Sequence, residues 1–101
     1  MCVGILVMKL YLVHCGFYDA ELAQGIYESH VNFFVAAPDP ATARLRAKEL
    51  PEFRAKRMHV DGLQEIEAID GYRISLAQEI ALGGASQITA IKHRDLAPKA
   101  P

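Results

Sequence analysis

The chain has 101 residues, 51% hydrophobic and 23% charged, with eleven basic against twelve acidic side chains and a formal net charge of −1. That length holds one domain with a single core and excludes two. Two cysteines, Cys2 and Cys15, exclude a disulfide framework and a paired-cysteine metal motif, so a reducing, cytoplasmic setting is the expectation.

The apolar residues from Cys2 to Val7 continue into Leu10, Leu12 and Val13. This run lacks a basic start, is interrupted by Lys9 and is too short to cross a bilayer, so it reads as a strand and no membrane partner is expected. The first strand is expected over residues 8–16, with Leu10 and Leu12 on one face and Tyr11, Val13 and Cys15 on the other. Both faces are largely apolar, which suits a central strand or one lying between a helix and a partner chain. Met8-Lys9 resembles a natural start, with residues 1–7 as an extension ahead of it.

Residues 16–29 show no steady period and scatter Phe17, Tyr18, Leu22, Ile26 and Tyr27 among polar side chains. A long connection with this many aromatics is the expected place for a site. The second strand follows over 30–37, with Val31, Phe33 and Val35 opposed to His30, Asn32 and Phe34. Pro38-Asp39-Pro40 then stops the strand and starts a helix: Asp39 is the N-cap and Pro40 takes the first helical position, where its missing N–H costs nothing. The helix is expected over 41–50 and ends at Pro51. Ala43, Ala47 and Leu50 form one stripe and Ala41 and Leu45 another, and Phe53 covers the exit.

Residues 58–76 read as a β-hairpin. Met58, Val60, Ile66 and Ala68 are set against His59, Asp61, Glu65 and Glu67, and the return arm alternates Tyr72, Ile74 and Leu76 with Arg73 and Ser75. A two-residue Asp70-Gly71 turn would place Glu67 opposite Ile74 and mix the faces. A three-residue loop of Ile69, Asp70 and Gly71 keeps the apolar sets together, opposing Ala68 to Tyr72, Ile66 to Ile74 and Glu67 to Arg73. Gly83-Gly84 breaks the chain, residues 87–93 form a candidate fifth strand through Ile88 and Ile91, and 94–101 form a flexible tail, leaving one domain over 8–93.

The fold class is therefore α+β: two layers, one main helix packed on a largely antiparallel sheet of four or five strands in the order ββαββ. A helix of about ten residues spans roughly 15 Å and cannot cover such a sheet, so a homodimer is expected to supply the rest of the cover.

The Lys-Leu-Tyr-Leu-Val first strand, Glu28-Ser29-His30, His59-Val60-Asp61 and the Asp-Gly-Tyr-Arg-Ile segment beginning at Asp70 resemble a bacterial domain family of unknown function. Its members are short proteins with one or two copies of the domain, and the resemblance covers about two-thirds of the chain, from Met8 to about Leu76. The family usually shows a Gly-Gly pair at the end of the first strand, where this chain has Cys15-Gly16. The resemblance implies an architecture but no activity, substrate or cofactor. Tandem copies imply that two domains can pack together, a place that a second subunit would fill here.

His59 and Asp61 stand two apart on one strand and so share a face, with Glu65 and Glu67 following. If His30 approached, with Glu28 behind it, then His30, His59 and Asp61 would form a divalent-metal site or a general acid–base set. The plainer alternative is ordinary hydrogen bonding on an exposed sheet face. Tyr18, Glu28, His30, His59 and Asp61 make up the candidate ligand-contact set, whereas Asp39, Pro40, Asp70 and Gly71 are structural. His14 and Cys15 cannot form a dyad, because adjacent strand residues point to opposite sides, and Cys15 is read as a buried structural thiol. Tyr11, Tyr18, Tyr27, Phe17, Phe33 and Phe34 are read as core or dimer interface, with a pocket for a flat ligand as the alternative.

Six of the eleven basic residues (Arg44, Arg46, Lys48, Arg54, Lys56, Arg57) lie within 44–57. Without interleaved aromatics or a motif, a nucleic-acid or anion partner is disfavoured. The leading expectation is a homodimeric binding or interaction module of unknown ligand, with no cofactor implied. The alternatives are a small hydrolase or metal-dependent enzyme built on His30, His59 and Asp61, and a weak nucleic-acid or anion binder acting through the Arg44–Arg57 patch.

Overall fold

In the computed structural model, which describes residues 6–98, β1 (Lys9–Tyr18) is the middle strand of a three-stranded antiparallel sheet. It is flanked by β2 (Glu28–Ala37) and β3 (His59–Ile66). β1 and β2 form a long hairpin that pairs Lys9 with Ala37 at one end and Tyr18 with Glu28 at the other. Both strands reach further into the aperiodic segment than their alternation suggests. What remains of that segment is closed by a single 3-10 turn, Ala23–Gly25, whose residues all take positive φ.

The β2-to-β3 connection carries the helices. Asp39 caps α1 (Pro40–Lys48), its Oδ1 accepting the Thr42 N–H at 2.7 Å, and Pro40 occupies the first turn as expected. The helix stops earlier than the stretch 41–50: Leu50 is extended (φ −64°, ψ 136°) and Pro51 opens a second helix, α2 (Pro51–Ala55), instead of only ending the first. The reason is the same as at Pro40, since the missing N–H is harmless in a first turn. α2 seats Phe53 in the core.

The core lies between the helices and one face of the sheet: Tyr11, Val13, Cys15, Val35, Ala37, Ala43, Ala47, Phe53 and Met58, with Phe17, Val31, Phe33, Leu50, Val60 and Leu63 packed around it. Ala43 and Ala47 let α1 approach the sheet closely, while Ala41 and Leu45 face solvent. Among the described residues no helix lies on the opposite face of the sheet.

Two expectations are corrected. The α+β class and the antiparallel sheet are present, but the main sheet has three strands where four or five were expected. The 58–76 hairpin splits between β3 and a separate two-stranded ribbon, β4 (Ala68–Ile69) with β5 (Tyr72–Arg73). That ribbon uses the two-residue Asp70-Gly71 turn, pairing Ile69 with Tyr72 and Ala68 with Arg73, and the Ile74 N–H donates to the Glu67 carbonyl at 2.9 Å. Asp70 (φ 52°) and Gly71 (φ 86°) both take the left-handed conformation of a type I′ turn. The apolar-register argument fails here because β4 and β5 are exposed on both sides, so no buried face constrains the pairing and the local preference of Asp-Gly decides it. Residues 87–93 form no strand among the described residues, and His93–Leu96 closes a single 3-10 turn. The expected extension and tail lie partly outside the described residues.

Candidate functional site

The helix-free face of the sheet carries a cluster of polar side chains. Gly16 on the central strand is paired with His30 on β2 and with His59 on β3, so the two imidazoles stand on either side of a residue without a side chain. Two pairs further on, and so on the same face, Tyr18 faces Glu28. On β3 the register shifts between His14 and Cys15: His14 pairs with Gly62 and Cys15 with Val60, leaving Asp61 as the extra residue of a β-bulge. The bulge keeps His59 and Asp61 together on the open face. It also reverses the alternation beyond them.

That reversal overturns two side-chain assignments. Glu65, expected beside His59 and Asp61, turns to the helix face, where the Tyr11 hydroxyl donates to its Oε1 at 3.4 Å. Ile66, expected on the dry face, pairs with Leu10 on the open one. Leu63, opposite Val13, takes the core position instead.

The cluster closes into a ring. His30 Nε2 lies 2.7 Å from Glu28 Oε1 and 3.3 Å from Asp61 Oδ2, and His59 Nε2 lies 3.2 Å from Glu28 Oε1 and 3.1 Å from Asp61 Oδ1. Each imidazole thus bridges both carboxylates. A ring Nε2 carries at most one hydrogen, so four nitrogen–oxygen contacts share at most two protons. The Tyr18 hydroxyl donates to Glu28 Oε2 at 3.0 Å, and on the other flank His14 Nδ1 sits 2.6 Å from Asn32 Oδ1 while its ring stacks on His30 at 4.7 Å between centroids. The side chains of Glu28 and Asp61 are 28% and 33% exposed and those of His30 and His59 44% and 45%, so the ring is open to solvent on its outer side.

The electrostatics follow from these contacts. The hydrogen bond from Tyr18 holds the Glu28 carboxyl below the usual carboxylate range against the opposing effect of burial, the next largest influence, with lesser help from Asp61, His59 and His30. The same hydrogen bond and the Glu28 charge push the Tyr18 hydroxyl up. Cys15, one residue before Gly16, points into the core. Burial, with the Asp61 charge behind it, raises its thiol pKa, which suits a structural cysteine.

Gly16 is the residue that sequence reasoning missed. A Cβ there would collide with Glu28 Oε1 and stand 2.7 Å from His59 Nε2 and 2.8 Å from Asp61 Oδ2. The available signal was a glycine inside an otherwise β-branched and aromatic strand, which marks a close approach. His14 and Asn32 were also missed: Asn32 shares a strand face with His30, but only the β1–β2 register brings His14 beside them. Two ligand sets share Asp61: Glu28, His59 and Asp61, and His14, His30 and Asp61, each with donor atoms within 4.8 Å of one another. Among the aromatics, Tyr11 is buried and Phe17 and Phe33 flank the core, while Tyr18, Tyr27 and Phe34 are exposed. The basic residues of 44–57 lie on the solvent side of α1 and α2. Arg46 donates to the Ala36 carbonyl at 2.7 Å, Lys56 sits over the Phe17 ring at 4.7 Å, and no helix among the described residues is long and apolar enough to cross a membrane.

No family model, curated protein or solved structure matches this chain. The functional reading therefore rests on the chemistry of the ring and its surroundings.

Proposed function

We propose that the protein is a small homodimeric binding module whose ligand is a divalent transition-metal cation held by Glu28, His30, His59 and Asp61. The observation that carries the reading is the proton shortage in the ring: two imidazole nitrogens each face two carboxylates with at most two hydrogens for four contacts. A cation at the centre satisfies all four groups without protons. In a tetrahedral site with arms of about 2.0–2.1 Å, neighbouring donor atoms are roughly 3.3 Å apart. The four nitrogen–oxygen contacts, at 2.7–3.3 Å, lie near that spacing along four of the tetrahedron's six edges, with the two histidines meeting different Asp61 oxygens. Mixed nitrogen and oxygen donors suit zinc and its neighbours better than calcium or magnesium.

The homodimer is supported by the small core and the uncovered sheet face. The resemblance of the His-x-Asp and Asp-Gly-Tyr-Arg-Ile segments to a bacterial family with one- and two-copy members points the same way. A second reading, a metal-dependent hydrolase, is favoured by one observation: the ring is open on its outer side, where a cation-bound water could meet a substrate.

The test is a titration of chelator-stripped protein with cobalt(II), followed by its visible absorption, with zinc displacing it. One cation per chain is expected, with binding lost in His59→Ala and Asp61→Asn. Absence of binding, or equal binding by both variants, would rule the reading out.

A further inference from the structure

The surface of this chain is too large for one copy. It exposes 8727 Å², where a compact chain of this length exposes about 5,700 Å². Its radius of gyration is 17.4 Å against about 13 Å for a compact domain of 100 residues, and it measures 57 × 51 × 28 Å along its principal axes. Among the described residues every buried one lies between Tyr11 and Met58, and within 67–98 only Ile74 is even half-buried. This segment is nevertheless not a polar tail. Ile80, Ile88, Ile91 and Leu96 are 65–87% exposed.

The body of the same chain shows the complementary deficit. At the end of the open sheet face away from the histidine ring, Leu10 and Leu12 on the central strand and Ile66 on β3 are only half-buried, and Phe34 on β2 is 56% exposed. Leu10 pairs with Ile66 and Leu12 with Phe34, so the four form one patch. A cleft of about 550 Å³ opens beside Leu10 and Ile66, between the strand ends and the outgoing residues Ile74 and Leu76. The chain's own arm borders this cleft only as far as Gln78 and leaves Phe34 exposed.

We infer that two copies exchange arms: residues 79–96 of each lie across the Leu10, Leu12, Phe34 and Ile66 patch of the other. Donor and acceptor belong to the same chain and neither is covered within it, so a two-fold exchange covers both at once. The excess of about 3,000 Å² per chain, about 6,000 Å² for a pair, leaves ample surface for a permanent subunit interface, which buries about 2,000–5,000 Å² in total. The inference deepens the homodimeric reading above by naming the segment and the face that make the dimer.

Sedimentation velocity on the full chain tests it, with Ile88→Asp/Ile91→Asp in the arm and Phe34→Asp on the face, each checked by far-UV circular dichroism. The wild type is expected to be a dimer. Either variant is expected to weaken the dimer by at least about a hundredfold, the effect of withdrawing buried side chains of this size from an interface. Phe34→Thr, which keeps a strand-favouring residue, serves if Phe34→Asp does not fold. A monomeric wild type would overturn both the exchange and the homodimer. A dimer indifferent to the arm substitutions would overturn the exchange and leave a dimer built on another surface. A dimer sensitive to the arm but not to either Phe34 variant would overturn the assigned face.

Discussion

Gly16 and His59 are partners across β1 and β3, and the imidazole of the second shares the hollow left by the missing side chain of the first with the carboxylates of Glu28 and Asp61. The ring of Glu28, His30, His59 and Asp61 can close over the central strand only because nothing projects from it at that position.

Gly16→Ala is therefore expected to spare the sheet and break the ring. Gly16 does not take positive φ, so the backbone accepts alanine, but the new methyl group must displace the ends of Glu28, His59 and Asp61. The expected outcome is a loss of cobalt affinity of at least tenfold, read by absorption titration, with an unchanged far-UV circular dichroism spectrum. Undiminished affinity would mean that the cation is held elsewhere.

Tyr18→Phe removes the largest influence that lowers the Glu28 pKa. The Glu28 carboxyl should then titrate at higher pH, as read from its side-chain carbon resonance in a pH series. A carboxylate depressed on folding contributes stability that is present above its unfolded pKa and lost as pH falls through the folded one. The variant should lose part of that contribution, and acid unfolding should begin at higher pH than in the wild type.

Asp39→Ala should lower the melting temperature near neutral pH by roughly 4–8 °C, the range expected when a helix N-cap is lost from a domain of this size. The Asp39 carboxyl is held below its usual value chiefly by the Thr42 N–H, so its capping is complete above the ordinary aspartate range and fades as pH falls through the lowered value. Wild type and variant should converge in acid. A gap that persists at low pH would assign the effect to something other than the charged cap.

Phe53→Ala should cost about 3–5 kcal/mol, because the ring fills the end of a small core beneath a helix of one and a half turns. For a domain whose whole stability is of the order of 5–15 kcal/mol this approaches unfolding. Urea denaturation measures it, and a cost below about 1 kcal/mol would show that the neighbouring residues close the cavity.

Cys15 should resist alkylation by iodoacetamide in the native protein and react on unfolding, since its thiol is buried and its pKa raised by burial. Peptide mass spectrometry locates the label. Rapid native labelling at Cys15 would contradict the buried position.

What the sequence by itself determined is local. Alternation along β1 sorted Leu10 and Leu12 from Tyr11, Val13 and Cys15, and Asp39-Pro40 set the start of α1 through a cap that spans three residues. The His59–Asp61 spacing put two candidate ligands on one strand, because each of these signals is carried by near neighbours in the chain. What depends on a neighbouring strand was not legible. Strict alternation from His59 places Glu65 with the ring and Ile66 in the core, and the single extra residue at Asp61 inverts both, since side-chain direction in a strand has a period of two. The hairpin argument failed in the opposite way. It presumed a buried face that the exposed β4–β5 ribbon lacks, and the Asp70-Gly71 turn then sets the register alone. His30, His59, Asp61 and Glu28 could be named as candidates from their residue types, but only the pairing of Gly16 with a histidine on each side brings them into one ring.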